Sequence, residues 1–454
     1  MFAKINFHDE FYQKLKLLVL PITMQQFMLA LVSATDAIML GAVSQTSLSA
    51  VSLAGQIQFV LNLFISGISA GSGIMAAQYW GKKDAASIEE VMPIALRTNL
   101  IFSGAFTVFA AVAPEVLMRI FTSDPALIES GAVYLRAVSL SYLLCGISQI
   151  YLILLKNTGY ATVSSRISCT AVVNIICNAI LIYGLLGLPA LGIQGAAYAT
   201  VAARLVELIW SYLETKQSGR VQVIWKKMFH AADAVLTKDF WRYTTPVLGA
   251  ALVWGIAYVS YSVIMGHMGS DAVAANSITT IAKNMLSCLI RGVSGGAGVL
   301  IGNLLGAGEL DKAKVYGGRL TRMAIVVGMT TGGLLMLISP LIVRFAPLSE
   351  TAAEYLQYML IFCGCNIMAQ SVNTTVLDGI FCAGGDSKFD MKGNLGAMWC
   401  FSVPFGFFAA FVLKWPVMVV YCIVNLDEIV KIPAVYLHYK KYIWVRNITV
   451  QKEA

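Results

Sequence analysis

The chain predicts an all-α membrane protein of twelve transmembrane helices, arranged as two six-helix lobes related by a pseudo-two-fold axis along the membrane normal. Composition is the first observation behind this. Of 454 residues, 58% are apolar and 12% charged, with mean hydropathy +0.74, against roughly 45–50% and about 25% in ordinary globular proteins. Too few polar groups exist to cover a surface in water, which excludes a soluble enzyme or a disordered scaffold. Apolar runs of about 20 residues, the length a spanning helix needs, recur along the whole chain. A repeat at a fixed offset of about 225 residues divides those runs into two sets of six.

Spans are expected at 15–41, 48–79, 91–117, 131–155, 163–186, 192–214, 240–265, 271–304, 316–345, 354–381, 389–413 and 416–438. A closed β-barrel would satisfy the same backbone requirement, but it needs short alternating strands rather than solid runs such as Met92 to Val112. Basic residues divide unevenly between the connections. Lys4, Lys14, Lys16, Lys82, Lys83, Lys156, Arg166, Lys216, Arg220, Lys226, Lys227, Lys238, Arg242, Lys312, Lys314, Lys388, Lys392, Lys440, Lys441 and Arg446 fall on one side, and little beyond Arg119, Arg344 and Lys414 on the other. The positive-inside rule then places both termini in the cytoplasm and the protein in the cytoplasmic membrane. The basic connection 216–239 separates a first lobe, 1–215, from a second, 240–454. Its charge is what a cytoplasmic loop carries, and no basic stripe for nucleic acid exists outside such loops. No removable signal peptide is expected. Nine cysteines, nearly all in apolar runs, read as small buried hydrophobes.

The repeat is gapless. Gly67, Ser69, Gly71 and Gly73 fall on Gly292, Ser294, Gly296 and Gly298, and Pro21 on Pro246, Gly41 on Gly266, Gly81 on Gly306, Arg119 on Arg344 and Gly159 on Gly384. Two lobes of equal topology enclose a cleft, and rocking them exposes it to either side in turn. The glycines are expected to let helices approach closely.

A charge at the bilayer centre costs about 2.5–3.5 kcal/mol on insertion scales, so each one needs a reason. Asp36 stands about 20 residues beyond Lys16, hence about 30 Å along the first helix. Its repeat mate is Tyr261, so the carboxylate belongs to one lobe only. A lone carboxylate there exchanges protons or holds a cation; the plainer alternative is a group tied down by neighbouring helices. Asn174 and Asn178, one turn apart, share a face of the fifth helix. With Asp36 and a hydroxyl from Thr200 they make a plausible oxygen shell for a monovalent cation. In the second lobe Lys283 and Arg291 lie in the eighth span, and Asp427, Glu428 and Lys431 in the twelfth. Lys283, Asp427, Glu428 and Lys431 form a secondary charge network, read as self-paired and structural, like Arg204 with Glu207 in the sixth span.

Asp36, the pair Asn174 and Asn178, the run Gly195 to Thr200, Gly302 to Gly308 and Ala383 to Asp386, in this order within twelve spans, resemble the multidrug and toxic compound extrusion (MATE) family. That resemblance implies secondary active efflux, in which protons or sodium ions flowing inward drive organic cations and amphipathic drugs outward. It also implies a coupling site in the first lobe onto which Asp36, Asn174, Asn178 and Thr200 map, with H+ or Na+ as coupling ion and no cofactor. Many members carry an aspartate where this chain has Asn178, which leaves Asp36 as the principal titratable group. Some carry a glutamate in the seventh span, where Gly249 to Trp254 is apolar here.

The expected partners are small organic compounds and membrane lipid, with the chain acting as a monomer. A flippase for lipid or lipid-linked sugar, of related two-lobe build, is the alternative; it calls for a broad cationic lining, for which Lys283 and Arg291 are the only candidates. An intramembrane enzyme needs a catalytic constellation. The four histidines (His8, His230, His267, His438) sit at ends or loops without HExxH spacing, and the GxSxG letters at Gly67 and Gly292 fall mid-span rather than at a strand-to-helix turn.

Overall fold

Apolar segments surrounded by lipid fold as helices because each backbone N–H then finds its carbonyl within the segment. The computed structural model describes residues 9–229, 233–346 and 348–449; Lys4, His8 and His230 lie outside them. The order is α1 (Glu10–Val43), α2 (Gln45–Gly81), α3 (Ala85–Val112), α4 (Pro114–Arg119), α5 (Pro125–Asn157), α6 (Ala161–Ser168), α7 (Thr170–Tyr183), α8 (Gly192–Thr215), α9 (Ala234–Gly266), α10 (Ser270–Gly306), α11 (Leu310–Phe345), α12 (Glu350–Thr374), α13 (Ser387–Asn394), α14 (Val403–Phe407), α15 (Val417–Val424) and α16 (Asp427–Tyr439). No strand occurs among the described residues. Wider π-type turns continue α12 over Thr375–Phe381 and join α13 to α14 over Leu395–Ser402.

Ten helices among the described residues are long and apolar enough to cross a membrane. The sixth and twelfth expected spans, which carry the charged pairs, complete the twelve. Three spans differ in detail from the sequence reading. The third stops at Val112, because Pro114 forces Ala113 out of helical geometry (φ −131°, ψ 51°) before α4 begins. The fifth is interrupted at Cys169 between α6 and α7 and ends where Gly184 turns left-handed at φ 71°. The twelfth breaks at Asn425 and Leu426, which puts Asp427 and Glu428 in the first turn of α16. A fresh helix start favours negative charge there. The cysteines also differ from expectation: Cys145, Cys288, Cys363 and Cys382 are buried, but Cys169, Cys365 and Cys400 are exposed, and all nine are free.

Packing divides the chain into two compact units. One comprises Met24–Trp80 and Asp84–Leu248; the other Met1–Thr23, Gly81–Lys83 and Gly249–Ala454. Each unit and its sequence half differ by an exchanged segment, the stretch leading into Pro21 in one case and into Pro246 in the other. The repeated glycines account for it. A Cβ at Gly67 would lie 2.8 Å from Leu248 Cα, and one at Gly71 2.7 Å from Thr244 Cα. In the other unit a Cβ at Gly292 would strike Thr23, and one at Gly296 would lie 3.0 Å from Val19 Cγ2. Thr23 and Leu248 are repeat mates, as are Val19 and Thr244. One helix crossing is therefore built twice, once in each unit, with glycine removing the side chain that would hold the backbones apart.

Each unit has its own apolar core. Leu40, Leu61, Leu135 and Tyr142 anchor the first; Phe11, Leu304, Leu320, Phe381 and Trp444 anchor the second. Trp444 is fully buried beyond the last helix, where Arg446 donates to the carbonyls of Gly384 and Gly385. Those carbonyls lie in the turn between the π segment and α13, so the final segment is tied to that turn.

Candidate functional site

In the unit that holds α1 from Met24 onward, the four expected polar residues meet. Asn178 Nδ2 donates to Asp36 Oδ1 at 2.5 Å and to Asn174 Oδ1 at 3.0 Å. Asn174 Nδ2 donates to Thr200 Oγ1 at 3.3 Å, and that hydroxyl donates in turn to the carbonyl of Ala196 at 3.0 Å. The i, i+4 spacing on α7 puts the two amides on one face, while the small residues Gly195 to Ala197 let α8 close on it; a Cβ at Gly195 would lie 2.5 Å from the carbonyl oxygen of Leu181. The result is an ordered chain of donors ending on a carboxylate inside a spanning helix. Asn178 is fully buried and Asp36 half-buried. Asn178 Oδ1 has no hydrogen-bond partner among the described residues.

This geometry spends oxygens that the sequence reading had offered to a cation. Asn174 Oδ1 accepts from Asn178, and Thr200 Oγ1 accepts from Asn174. The oxygens left free are Asp36 Oδ2 and Asn178 Oδ1. Sequence reasoning missed Tyr134 on α5, which is buried within electrostatic reach of Asp36. A tyrosine in an apolar run gives no signal that it faces a carboxylate.

In the other unit, three of the four expected charges come together. Lys431 Nζ lies 2.9 Å from Glu428 Oε1 and 3.4 Å from Asp427 Oδ2. Lys283 forms no ion pair with them among the described residues, though both carboxylates feel its charge. Residues that the sequence reading left out enlarge the network. Lys431 Nζ also donates to Asn394 Oδ1 at 3.2 Å, Asn394 Nδ2 donates to Asp390 Oδ1 at 3.0 Å, and Asn373 Nδ2 donates to Glu428 Oε2 at 2.8 Å. Asp390 and Asn394 sit i, i+4 on α13, the spacing of Asn174 and Asn178 on α7, and that recurrence could have found them. Tyr261, the repeat mate of Asp36, lies within electrostatic reach of Asp427 and Glu428. Arg204 and Glu207 pair at 2.9 Å on α8 as expected, and Ser148 donates to the same carboxylate.

Twelve spanning segments, a duplicated helix crossing and buried polar chains inside the spans define a multi-pass membrane transporter. The comparisons with known proteins give its family. The family model described as MatE matches residues 21–180 and 246–408, two stretches that begin at the repeat mates Pro21 and Pro246. The chain belongs to that family, the multidrug and toxic compound extrusion transporters, which are not enzymes. It is 22% identical over 91% of its length to the uncharacterized transporter YisQ of Bacillus subtilis, covering 90% of that protein. To the probable multidrug resistance protein NorM of Agrobacterium fabrum it is 24% identical over 76% of its length and 73% of the relative's. Its fold matches a MOP superfamily transporter from Pyrococcus furiosus at TM-score 0.86, with 18% identity and 95% of each chain covered. An outward-facing multidrug resistance MATE transporter matches at 0.83, with 18% identity and coverage of 94% and 96%.

Proposed function

We propose that this protein is a secondary active exporter of the cytoplasmic membrane, in which protons flowing inward through Asp36 drive small organic cations and amphipathic drugs outward. The observation that carries the reading is the hydrogen-bonded chain from Thr200 through Asn174 and Asn178 to Asp36. It holds one carboxyl group where lipid forbids an unreasoned charge. Relatives named as multidrug resistance proteins support the substrate class. The proton is favoured over sodium because two of the three amide and hydroxyl oxygens that would surround a metal ion, Asn174 Oδ1 and Thr200 Oγ1, already accept from amides. A proton needs only the carboxylate.

In this reading the sequence halves, 1–215 and 240–454 with 216–239 between them, are the two functional lobes. Both termini and the basic connections face the cytoplasm, in keeping with the positive-inside rule, and the chain works as a monomer. Asp36 takes up a proton in the outward-open state as substrate leaves, and discharges it to the cytoplasm when the cleft opens inward. Donation from Asn178 fixes which carboxylate oxygen faces the amide. The test is purified protein in liposomes, with proton and sodium gradients imposed separately. Asp36→Asn, isosteric and without a titratable proton, is expected to abolish gradient-driven efflux while the protein still folds. Undiminished efflux in that variant, or efflux that follows sodium alone, would overturn the reading.

A further inference from the structure

The first half of the chain lends three residues to the unit built mainly from the second. Gly81, Lys82 and Lys83, the turn between α2 and α3, pack with Gly249–Ala454 and not with the helices that carry them. A Cβ at Gly81 would run into the backbone carbonyl of Asn303 and lie 2.9 Å from Asn303 Cα, so only glycine lets the end of α2 settle on the last turn of α10. Lys82 Nζ then donates to the carbonyl of Thr449 at 3.4 Å.

The turn is preformed, and it is built twice. The Asp84 N–H donates to the carbonyl of Tyr79 at 2.9 Å, and at the repeat mates the Glu309 N–H donates to the carbonyl of Leu304 at 2.9 Å. Asp84 also caps α3, accepting from the N–H of Ser87 at 3.1 Å. Each copy passes through the left-handed region, at Gly308 (φ 79°) in one and at its mate Lys83 (φ 63°) in the other. Glycine adopts that conformation freely. Lysine is held in it at a cost, and such strain persists only where the surroundings fix it.

The seat on which the turn rests is anchored from behind. Trp444 is fully buried and backs onto two glycines. A Cβ at Gly317 would lie 2.7 Å from its ring, and one at Gly384 would strike its carbonyl. Asn447 Nδ2 donates to the carbonyl of Gly306, the last residue of α10, at 3.1 Å. Asn447 Oδ1 accepts from the N–H and the hydroxyl of Thr449 at 2.9 and 2.6 Å. One side chain thus satisfies a bare helix-end carbonyl and sets the position of the carbonyl to which Lys82 donates. The seat is firm, but the hold on it is light: a glycine contact and one long hydrogen bond from an exposed lysine.

We propose that this contact is the cytoplasmic gate of the transport cycle. The turn Gly81–Lys83 is the bolt, the end of α10 with Trp444–Thr449 is its seat, and the two part when the cleft opens inward. Asn447 is a positioning residue that keeps the seat in register. The gate rests on the alternating exposure proposed above, and not on the coupling ion or on Asp36. A cleft that opens to one side at a time needs a contact between the two halves of the repeat that is close in shape and weak in free energy. This one joins residues of both halves and meets both conditions.

The test uses purified full-length protein and two readouts. The first is amide hydrogen exchange followed by mass spectrometry. Gly81→Ala overpacks the contact and should raise its opening about 5- to 150-fold, seen as faster exchange in 79–84, 303–309 and 444–449 together. A rise confined to 79–84 overturns the proposal. If Gly81→Ala does not fold, Asn447→Ala carries the comparison, with faster exchange expected at 79–84 as well as at 444–449. The second readout is a lock. Lys82→Cys and Thr449→Cys, in a background whose exposed cysteines are serine, are joined by a short bis-methanethiosulfonate that a reductant cleaves. Locking should slow exchange at 303–309. In liposomes, with ethidium as the transported probe, it should abolish efflux until the link is reduced, while each single-cysteine variant treated alike keeps transporting. Locked protein that still transports, or whose exchange at 303–309 is unchanged, overturns the gate. Efflux that survives Asp36→Asn would count against the coupling reading alone and leave both readouts standing.

Discussion

The two units share a helix crossing and differ in the charge they bury. Gly67 against Leu248 and Gly292 against Thr23 repeat one contact at the same offset. In one unit a balanced pair, Arg204 with Glu207, lies within the spans, and a single carboxylate, Asp36, accepts from the Asn178 amide. In the other, Lys431 is surrounded by acid. Duplication conserved what close packing demands, because a crossing works only with a small residue at the contact. Charge was free to diverge, since any arrangement that satisfies its own ions is tolerated. What is symmetric in this molecule is mechanical, and what is asymmetric is chemical.

The largest effect expected from breaking that contrast is on the balanced pair. Glu207→Gln leaves the half-buried Arg204 guanidinium without its counter-charge and should cost about 3–5 kcal/mol of stability, read by unfolding in detergent micelles. Glu428→Gln should cost less, about 1–3 kcal/mol for the lost charged hydrogen bonds, because Asp427 still faces Lys431. Equal losses would mean that Asp427 does not keep Lys431 paired when Glu428 is neutral.

The shared crossing is tested by Gly67→Ala and Gly292→Ala, each expected to cost about 1–3 kcal/mol through overpacking. The loss should be somewhat greater at Gly67, whose new methyl would lie 2.8 Å from Leu248 Cα, than at Gly292, where the methyl would still lie 3.0 Å from Thr23 Cα once the Thr23 hydroxyl turns away. A reversed order, measured by thermal unfolding of the two variants side by side, would show that the crossings are not equivalent.

The smallest effect belongs to the start of the first helix. The backbone N–H of Phe11 and then the Arg319 guanidinium hold the Asp9 carboxyl below the usual carboxylate range. A carboxyl shifted down stabilises the folded state above its ordinary pKa, and that contribution fades as pH falls through the lower folded value. The difference in melting temperature between wild type and Asp9→Asn should therefore be slight at neutral pH and vanish in acid. Asp233, which accepts from Val235 at the corresponding start of α9, has no ion pair among the described residues; Asp233→Asn should move the melting temperature less.

Much of this was legible in the residues. Apolar runs bounded by basic loops located the helices, the glycine register exposed the duplication, and Asp36 with the amides one turn apart on α7 announced a polar chain within lipid. The exchanged segments were not legible. Helix periodicity is local, and it runs through Pro21 and Pro246 without revealing which unit each part of α1 or α9 packs against. Asp390, Asn394 and Asn373 escaped for a related reason: near the expected ends of spans, polar residues look like solvated termini until packing buries them. The break at Asn425 had no proline or glycine to signal it.

The exchanged segments bear on biogenesis. The unit that carries Asp36 takes its last piece, the stretch up to Leu248, from the seventh span. During synthesis its first six helices must wait in the bilayer, with Gly67 and Gly71 facing an empty groove, until the ribosome has passed the midpoint of the chain. Neither half could then mature alone, and a gene cut between residues 215 and 240 should yield fragments stable only when expressed together.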